Sequence, residues 1–180
     1  MIHPFEERYK TVVVPELKKK FGYTNLYQVP KIVKVTLNVG LGRALKDAEY
    51  SEVVADSLTR ITGQRPVKTR AKKSIAGFKI REGLVIGMKV TLRKARMLDF
   101  LQKVVTFALP RVRDFRGLDL KAVDQKGNLS IGFRESSAFP EVKSDELEKM
   151  HGLEVTITTN AKSREAGIAL FALLGFPFKK

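Results

Sequence analysis

Residues 63–97 read GQRPVKTRAKKSIAGFKIREGLVIGMKVTLRKARM, and this stretch carries both a clear strand pattern and most of the net charge of the chain. Near its end, four apolar residues alternate with four others: Ile86, Met88, Val90 and Leu92 with Gly87, Lys89, Thr91 and Arg93. Because successive side chains of a β-strand point to opposite faces of the sheet, this alternation predicts a half-buried strand. Such strands are typical of antiparallel sheets that cover the core with one face only.

The same 35 residues contain eleven Lys or Arg side chains and a single acid, Glu82. They therefore carry +10 of the formal net charge of +15, and the flanking parts of the chain carry only +3 and +2. Lys and Arg release condensed counterions when they neutralise phosphates, so this concentration predicts a polyanionic partner. Nucleic acid is favoured over a membrane surface.

Other segments supply the rest of the fold. Val33, Val35, Leu37 and Val39 alternate with Lys34, Thr36 and Asn38, which predicts a second half-buried strand. Helical spacing predicts helices over 5–21, 50–61, 97–108 and 163–174, with stops at Gly22, Gly63, Pro110 and Gly175. Pro15 is expected either to kink the first helix or to start its second half. Further strands are predicted over Arg65–Arg70, Asn128–Phe133 and Leu153–Thr159.

These elements predict an α+β protein. We expect a single two-layer domain over residues 1–180, with a mainly antiparallel sheet, helices on one face and a long basic loop at Ala71–Gly83.

The polar faces of the two half-buried strands form a candidate binding surface. Lys34, Thr36 and Asn38 match Lys89, Thr91 and Arg93 in spacing, and Lys68 and Arg70 of the short strand are expected beside them. Lys and Arg hold phosphates, while Thr and Asn can meet 2′-hydroxyls and base edges of structured RNA. The alternative is the ordinary polar outer face of an antiparallel sheet. The face has no regular row of aromatic residues for stacking single-stranded bases.

Two further basic segments stay open to two interpretations. The loop Ala71–Gly83 places Ile75, Phe78 and Ile80 among its basic residues. It is either an arm that reaches a second polyanion or a solvated loop whose apolar residues fold back on the domain. Arg111, Arg113 and Arg116 either contact phosphates, as possible further RNA contacts, or form salt bridges with Asp114 and nearby acids.

Signals of catalysis, metal binding or membrane insertion are weak. The chain has no cysteine, and its longest strongly apolar run, Ile168–Leu174, is too short to span a bilayer. Its start lacks the layout of a signal peptide, so we expect a cytoplasmic protein.

No catalytic set can be assembled from the residues. Gly40-Leu41-Gly42 lacks the third glycine of a dinucleotide fingerprint, because Leu45 stands there. His3 at the chain end and the isolated His151 have no partners at metal-ligand spacing. Four acids cluster on or near the second helix, Asp47, Glu49, Glu52 and Asp56, but acids near a helix start are favoured by the helix dipole anyway. We expect no catalytic residue, no metal and no cofactor.

Residues 63–79, GQRPVKTRAKKSIAGFK, closely resemble the signature of bacterial large-subunit ribosomal protein five, the family that binds 5S rRNA. The resemblance continues through REG at 81–83, GMKVTLR at 87–93, LPRVRDFRG at 109–117 and LGFPF at 174–178, and covers essentially the whole chain. It implies a structural protein of the central protuberance of the large subunit, located in the cytoplasmic ribosome.

The resemblance also implies partners and their sites. The partners are 5S rRNA, 23S rRNA, peptidyl-site tRNA and neighbouring ribosomal proteins, including one of the small-subunit head; neither a membrane nor a homo-oligomer is expected. The rRNA-binding residues are expected to be Lys34, Thr36, Asn38, Gln64, Arg65, Lys68, Arg70, Lys89, Thr91 and Arg93. Among these, Asn38, Gln64 and Thr91 are the expected buried polar contacts. The loop expected to approach the tRNA presents Lys72, Lys73, Ser74, Phe78, Lys79 and Arg81.

Two rival functions use other features. An autonomous RNA chaperone or regulator would use the same basic face outside the ribosome. A phosphate-handling enzyme would need a nucleophile or metal set, which the sequence does not supply.

Overall fold

The computed structural model of the chain describes residues 3–42, 48–142 and 150–179. Five strands form one antiparallel sheet in the order β2-β3-β1-β5-β4. The strands are β1 (Ile32–Gly40), β2 (Val67–Arg70), β3 (Val85–Leu92), β4 (Leu129–Phe133) and β5 (Leu153–Thr159). All five coincide with predicted strands, and the predicted α+β fold with a mainly antiparallel sheet is confirmed.

The helices also follow the predicted patterns. They are α1 (Pro4–Arg8), α2 (Val14–Phe21), α3 (Ala48–Thr62), α4 (Lys94–Lys103), α5 (Leu109–Arg111) and α6 (Arg164–Leu174). As predicted, α6 begins at Ser163, whose Oγ accepts a hydrogen bond from the Ala166 N–H at 3.3 Å. It ends at Gly175, whose φ of +98° suits a residue without a Cβ atom.

Two π-helical segments join helices where the sequence places a proline. Tyr9–Val13 links α1 to α2 ahead of Pro15, and Val104–Ala108 links α4 to α5 ahead of Pro110. Proline lacks an N–H and its ring collides with the carbonyl four residues earlier, so a widened turn relieves this conflict. The prediction that Pro110 ends its helix was therefore wrong, since the helix runs on to Arg111.

The described chain divides into two compact units, each with a buried centre. The first unit comprises Met1–Val35, Leu92–Ile131 and Thr156–Lys180. Its fully buried side chains come from helices and strands alike: Val13, Leu17, Leu92, Leu101, Val104, Leu129, Ile157, Leu170 and Phe171. The prediction of a single domain over residues 1–180 stays a prediction.

The second unit comprises Thr36–Thr91 and Gly132–Val155 and contains most of the candidate site. The predicted apolar stripe of α3 is buried at Tyr50, Val54, Leu58 and Ile61. Aliphatic residues of the strands are buried with it: Leu37, Val39, Met88, Val90 and Val155. Phe133 and Phe139 pack against each other with ring centroids 5.2 Å apart.

A turn over residues 124–128 leads into β4 in the first unit. The Asp124 carboxylate accepts hydrogen bonds from the backbone N–H groups of Lys126 and Asn128 and from the Asn128 side chain, at 2.8–2.9 Å. Partial burial opposes ionisation, but these hydrogen bonds prevail and hold the pKa of Asp124 below its usual value. Asn128 Oδ1 in turn accepts from the Thr159 N–H at 2.9 Å, which ties the turn to β5.

The same turn meets α6 at two glycines. A Cβ atom added at Gly167 would lie 2.7 Å from the Gly127 carbonyl oxygen and closer still to the Gly127 Cα. Helix propensity alone favours Ala over Gly by about 1 kcal/mol in a helix interior. Close packing of two backbones therefore explains a glycine in the middle of α6.

We predict that Gly167→Ala destabilises the protein by about 1–3 kcal/mol, because a clash with backbone cannot be relieved by a side-chain rotation. Urea unfolding followed by circular dichroism measures this change. Gly132→Ala is the matched control, since a Cβ atom at Gly132 meets nothing within 4 Å. Equal or higher stability of Gly167→Ala would contradict the close contact.

Candidate nucleic-acid interface

The candidate binding surface is the polar side of β1 and β3, which we call the open face. It consists of Thr36 and Asn38 of β1 and Gly87, Lys89 and Thr91 of β3. Four of their neighbours along the strands, Leu37, Val39, Met88 and Val90, are fully buried, and Ile86 is half-buried. Asn38 and Lys89 are exposed, and Thr36 and Thr91 are half-buried. Alternation along each strand thus separates the apolar side from the polar side, as the sequence predicts.

Two predicted residues extend these strands. Lys34 occupies the preceding open-face position of β1 and is half-buried. Arg93 directly follows β3 and stands exposed at the N-cap position of α4. Val33 departs from its predicted inward position, because it is 39% exposed near the start of β1.

The register of the edge strand β2 corrects one prediction. Val67 pairs with Lys89, Lys68 with Met88 and Thr69 with Gly87. Because paired residues share a face, Lys68 lies on the side of the buried Met88 and not on the open face. Its predicted place beside Lys89 is wrong, and Val67 and Thr69 take that place.

Beyond Thr69 the register shifts. Arg70 pairs with Val85, two residues before Gly87, and so returns to the open-face positions. The sequence could not fix this register, because β2 has no buried apolar set: three of its four residues are exposed.

Gly87 and Thr69 pack against each other across β2 and β3, a contact that the sequence did not reveal. A Cβ atom at Gly87 would lie 2.9 Å from Thr69 Oγ1 and 3.0 Å from the Val39 carbonyl oxygen. The missing side chain therefore lets the Thr69 hydroxyl lie across β3. Gly87 itself is buried, and the half-buried Thr69 lies against it.

Gln64 reaches the open face from the end of α3. The chain turns at Gly63, with φ of +67°, and the Gly63 N–H donates to the Thr59 carbonyl at 2.7 Å. The Gln64 N–H then donates to Thr62 Oγ1 at 3.2 Å. The Gln64 side-chain amide donates weakly to the Thr91 carbonyl at 3.4 Å, which brings Gln64 beside Thr91. Arg65, next in the chain, is exposed.

The basic loop, residues 71–83, has more structure than predicted. Ile75 and Ile80 exchange two backbone hydrogen bonds of 2.9 and 3.1 Å across a short turn. The Glu82 N–H donates to Ser74 Oγ at 2.9 Å, and the Ala71 N–H donates to the Leu84 carbonyl at 2.8 Å. The predicted long basic loop is therefore present between β2 and β3, and these bonds fold it into a hairpin.

The side chains of the basic loop point outward. Lys72, Lys73, Ser74, Lys79 and Arg81 are all exposed. Phe78 is 72% exposed and Ile75 is 48% exposed. Ile75 and Phe78 therefore do not fold back on the domain as the alternative requires, whereas Ile80 is half-buried.

The arginine cluster follows α5. Arg111, Arg113 and Arg116 are exposed, and Asp114 between them has a φ of +53°. Within residues 3–42, 48–142 and 150–179, none of these three arginines forms an ion pair. This observation favours cations available to a partner over the alternative of an internal salt-bridge network.

Features considered for catalysis have structural roles where they are described. His3 Nδ1 accepts from the Phe5 N–H at 3.2 Å at the start of α1, and His3 Nε2 lies 3.1 Å from an Asp99 oxygen. Asp56 pairs with Arg60 one turn along α3 at 3.2 Å. Asp47 lies outside the described residues.

The described residues contain neither a metal-binding group nor a membrane-spanning helix. No three His, Cys, Asp or Glu side chains in that part of the chain come together in a group that could hold a metal ion. None of the described helices is long and apolar enough to cross a membrane.

Comparison with known proteins matches nearly the whole chain. Residues 25–81 match the family model of ribosomal protein L5, and residues 85–178 match the model of the C-terminus of the same ribosomal protein family. A protein named large ribosomal subunit protein uL5 from Colwellia psychrerythraea is 52% identical over 172 residues, which cover 96% of this chain and 95% of the relative. The protein of the same name from Shewanella sp. (strain ANA-3) is 52% identical over 174 residues, 97% of each chain.

Proposed function

The chain belongs to the ribosomal protein L5 family, and from this premise we propose that it binds 5S rRNA through the open face and helps attach it to 23S rRNA in the central protuberance. Membership makes the chain a structural, non-enzymatic constituent of the large subunit of the cytoplasmic ribosome, with rRNA and ribosomal proteins as partners. The identity of the RNA and its contact residues are the proposal.

One observation carries the assignment to the open face. Half-buried uncharged groups, Thr36 and Thr91, stand on rigid strands beside the exposed Asn38 and Lys89. The lysine can neutralise a phosphate, and the hydroxyl and amide groups can bond 2′-hydroxyls and base edges in the shallow minor groove of RNA. The half-buried Thr69 beside Gly87 adds a third hydroxyl to this set.

Other cations would surround this contact. Lys34, Arg65, Arg70 and Arg93 adjoin the open-face strands in sequence, and Lys68 stands exposed on the opposite side of β2. We therefore propose that Lys68 contributes to the general field around the RNA and not to direct contact with the open face. Positions of this kind change affinity and salt dependence more than selectivity.

The basic loop suits a second RNA. Its hairpin holds four exposed cations and the exposed Phe78 at the far end of β2 and β3. We propose that Lys72, Lys73, Ser74, Phe78, Lys79 and Arg81 approach the tRNA in the peptidyl site. A pre-formed hairpin loses less conformational entropy on binding than a flexible loop does.

The remaining contacts are proposed without assigned geometry. Arg111, Arg113 and Arg116 offer exposed guanidinium groups to phosphates as further RNA contacts. A contact to a small-subunit head protein completes the set of partners. We propose that the chain acts as a single RNA-binding domain over residues 1–180, without homo-oligomers.

We predict that Asn38→Ala or Thr91→Ala raises the Kd for 5S rRNA roughly 5- to 150-fold. The loss of one buried hydrogen-bonding partner costs about 1–3 kcal/mol. Filter binding at fixed salt measures this change. Thr11→Ala is the matched control, because its exposed hydroxyl bonds only the Glu7 carbonyl of the first helix, at 2.9 Å. Wild-type affinity in both open-face variants would reject the assignment.

For the basic loop, Lys72→Ala and Lys79→Ala should leave 5S affinity unchanged but weaken tRNA binding at the peptidyl site of reconstituted ribosomes. We expect the salt dependence of tRNA binding to fall by about one unit per lysine, because each removes one phosphate contact. Lys126→Ala, which removes an exposed lysine from the turn at 124–128, is the control. A matching loss of 5S affinity in the loop variants would mean that the loop belongs to the 5S contact.

A further inference from the structure

The connection between α2 and β1 displays two large apolar side chains to solvent. Tyr27 is 87% exposed and Leu26 is 61% exposed. They stand side by side in a single 3₁₀ turn, Leu26–Gln28. This turn is in the first compact unit, whereas the open face and the basic loop belong to the second.

The turn is held rigidly. The Asn25 side chain caps it by accepting a hydrogen bond from the Tyr27 N–H at 2.9 Å. Directly after it, Val29 and Pro30 are buried, and the Pro30 carbonyl accepts from the Tyr9 hydroxyl at 3.1 Å. Burial raises the pKa of Tyr9, which keeps this hydroxyl protonated as a donor.

The β1 side of the connection is anchored as well. The Lys31 N–H donates to Asn160 Oδ1 at 2.6 Å, and the Asn160 N–H donates to the Lys31 carbonyl at 3.2 Å. With fixed backbone on both sides, the Tyr27 ring is presented outward, and the described residues leave most of its surface uncovered. Exposed aromatic rings on rigid backbone are typical of binding sites.

The charge around the turn indicates the kind of partner. Residues 17–34 contain five lysines and neither Asp nor Glu. Lys19, Lys20 and Lys31 are exposed, and Lys20 also lies over the Phe21 ring at 5.7 Å. A nucleic acid would fit both the exposed ring and the lysines, because its phosphates can pair with the lysines and a base can stack on the tyrosine.

We propose that Tyr27 is a stacking platform for an unpaired rRNA base, with Leu26 against the same nucleotide and the flanking lysines on its phosphates. This further RNA contact uses none of the residues of the open face, the basic loop or the arginine cluster. It rests on the large-subunit role of the chain but not on the proposed 5S contact. A base extruded from a loop or bulge is the required ligand, since bases inside a duplex do not expose a face.

The chain contains no tryptophan, so Tyr27→Trp creates a single fluorescent reporter at the turn. We would bind this full-length variant to total large-subunit rRNA freed of other proteins, so that the reporter is the one source of tryptophan emission, and record its emission and its accessibility to acrylamide. Stacking predicts strong quenching by the base and protection from acrylamide relative to the free protein. Binding to 5S rRNA alone, measured in parallel, reports on the proposed function independently.

Substitutions at Tyr27 distinguish base stacking from other apolar contacts by their effect on association with the large subunit. Tyr27→Phe and Tyr27→Trp should enter subunits like wild type, whereas Tyr27→Ala and Tyr27→Leu should show roughly 5- to 150-fold weaker association. Tyr27→Ala should retain the wild-type melting temperature, because the side chain is exposed. Val12→Ala, which trims an exposed aliphatic side chain of the first unit, is the control and should behave as wild type.

Three outcomes would overturn the proposal. Wild-type association of Tyr27→Leu together with loss in Tyr27→Ala would mean that a protein surface packs on the turn. Wild-type association of Tyr27→Ala would mean that the ring contributes nothing. Unchanged acrylamide accessibility of the Tyr27→Trp reporter in the complex with large-subunit rRNA would mean that the turn faces solvent.

Discussion

Burial of one aliphatic side of the sheet is the constraint on which the candidate site depends. Leu37, Val39, Met88 and Val90 are withdrawn from water almost completely, and each such side chain contributes about 1.5–3 kcal/mol. A slip of one residue in β1 or β3 would expose this set and bury Lys89 and Asn38, at a large cost in free energy. The orientation of the polar residues is therefore fixed by their apolar neighbours, before any RNA is bound.

This constraint also explains how much the sequence could predict. Where strict alternation accompanies burial, as in β1 and β3, the faces were predicted correctly except at Val33 near the start of β1. The capped helix α6 was equally clear. Strand β2 has no buried apolar set, so its register depends on pairing with β3, and Lys68 was assigned to the wrong face. The hairpin of the basic loop depends on backbone bonds between Ile75 and Ile80, which leave no periodic pattern in the sequence. The sequence did not reveal Thr69 or Tyr27. The position of Thr69 depends on the register of β2 with β3, and the exposure of Tyr27 is visible only in the folded structure.

The distribution of charge divides the surface into contacts of different kinds. On the open face, the hydroxyl groups of Thr36 and Thr91 and the amide of Asn38 lie near Lys89. This arrangement is suited to selecting the shape of an RNA helix. The basic loop and the arginine cluster present cations with little hydrogen-bonding variety, an arrangement suited to attraction at phosphates. The turn at Leu26 and Tyr27 adds an aromatic ring among lysines. A structural protein of the large subunit can hold several RNA segments together if such surfaces lie on separate parts of its chain.

The central claim is that the open face adds specific contacts to the attraction of a basic protein for RNA. A salt titration of binding to 5S rRNA, beside an unrelated structured RNA of equal length, tests it most directly. The account predicts that 5S binding outlasts binding of the competitor as salt rises, because hydrogen bonds to the RNA survive when the counterion contribution shrinks. Equal affinities that fall in parallel would contradict it, and the same basic face would then serve a general RNA chaperone.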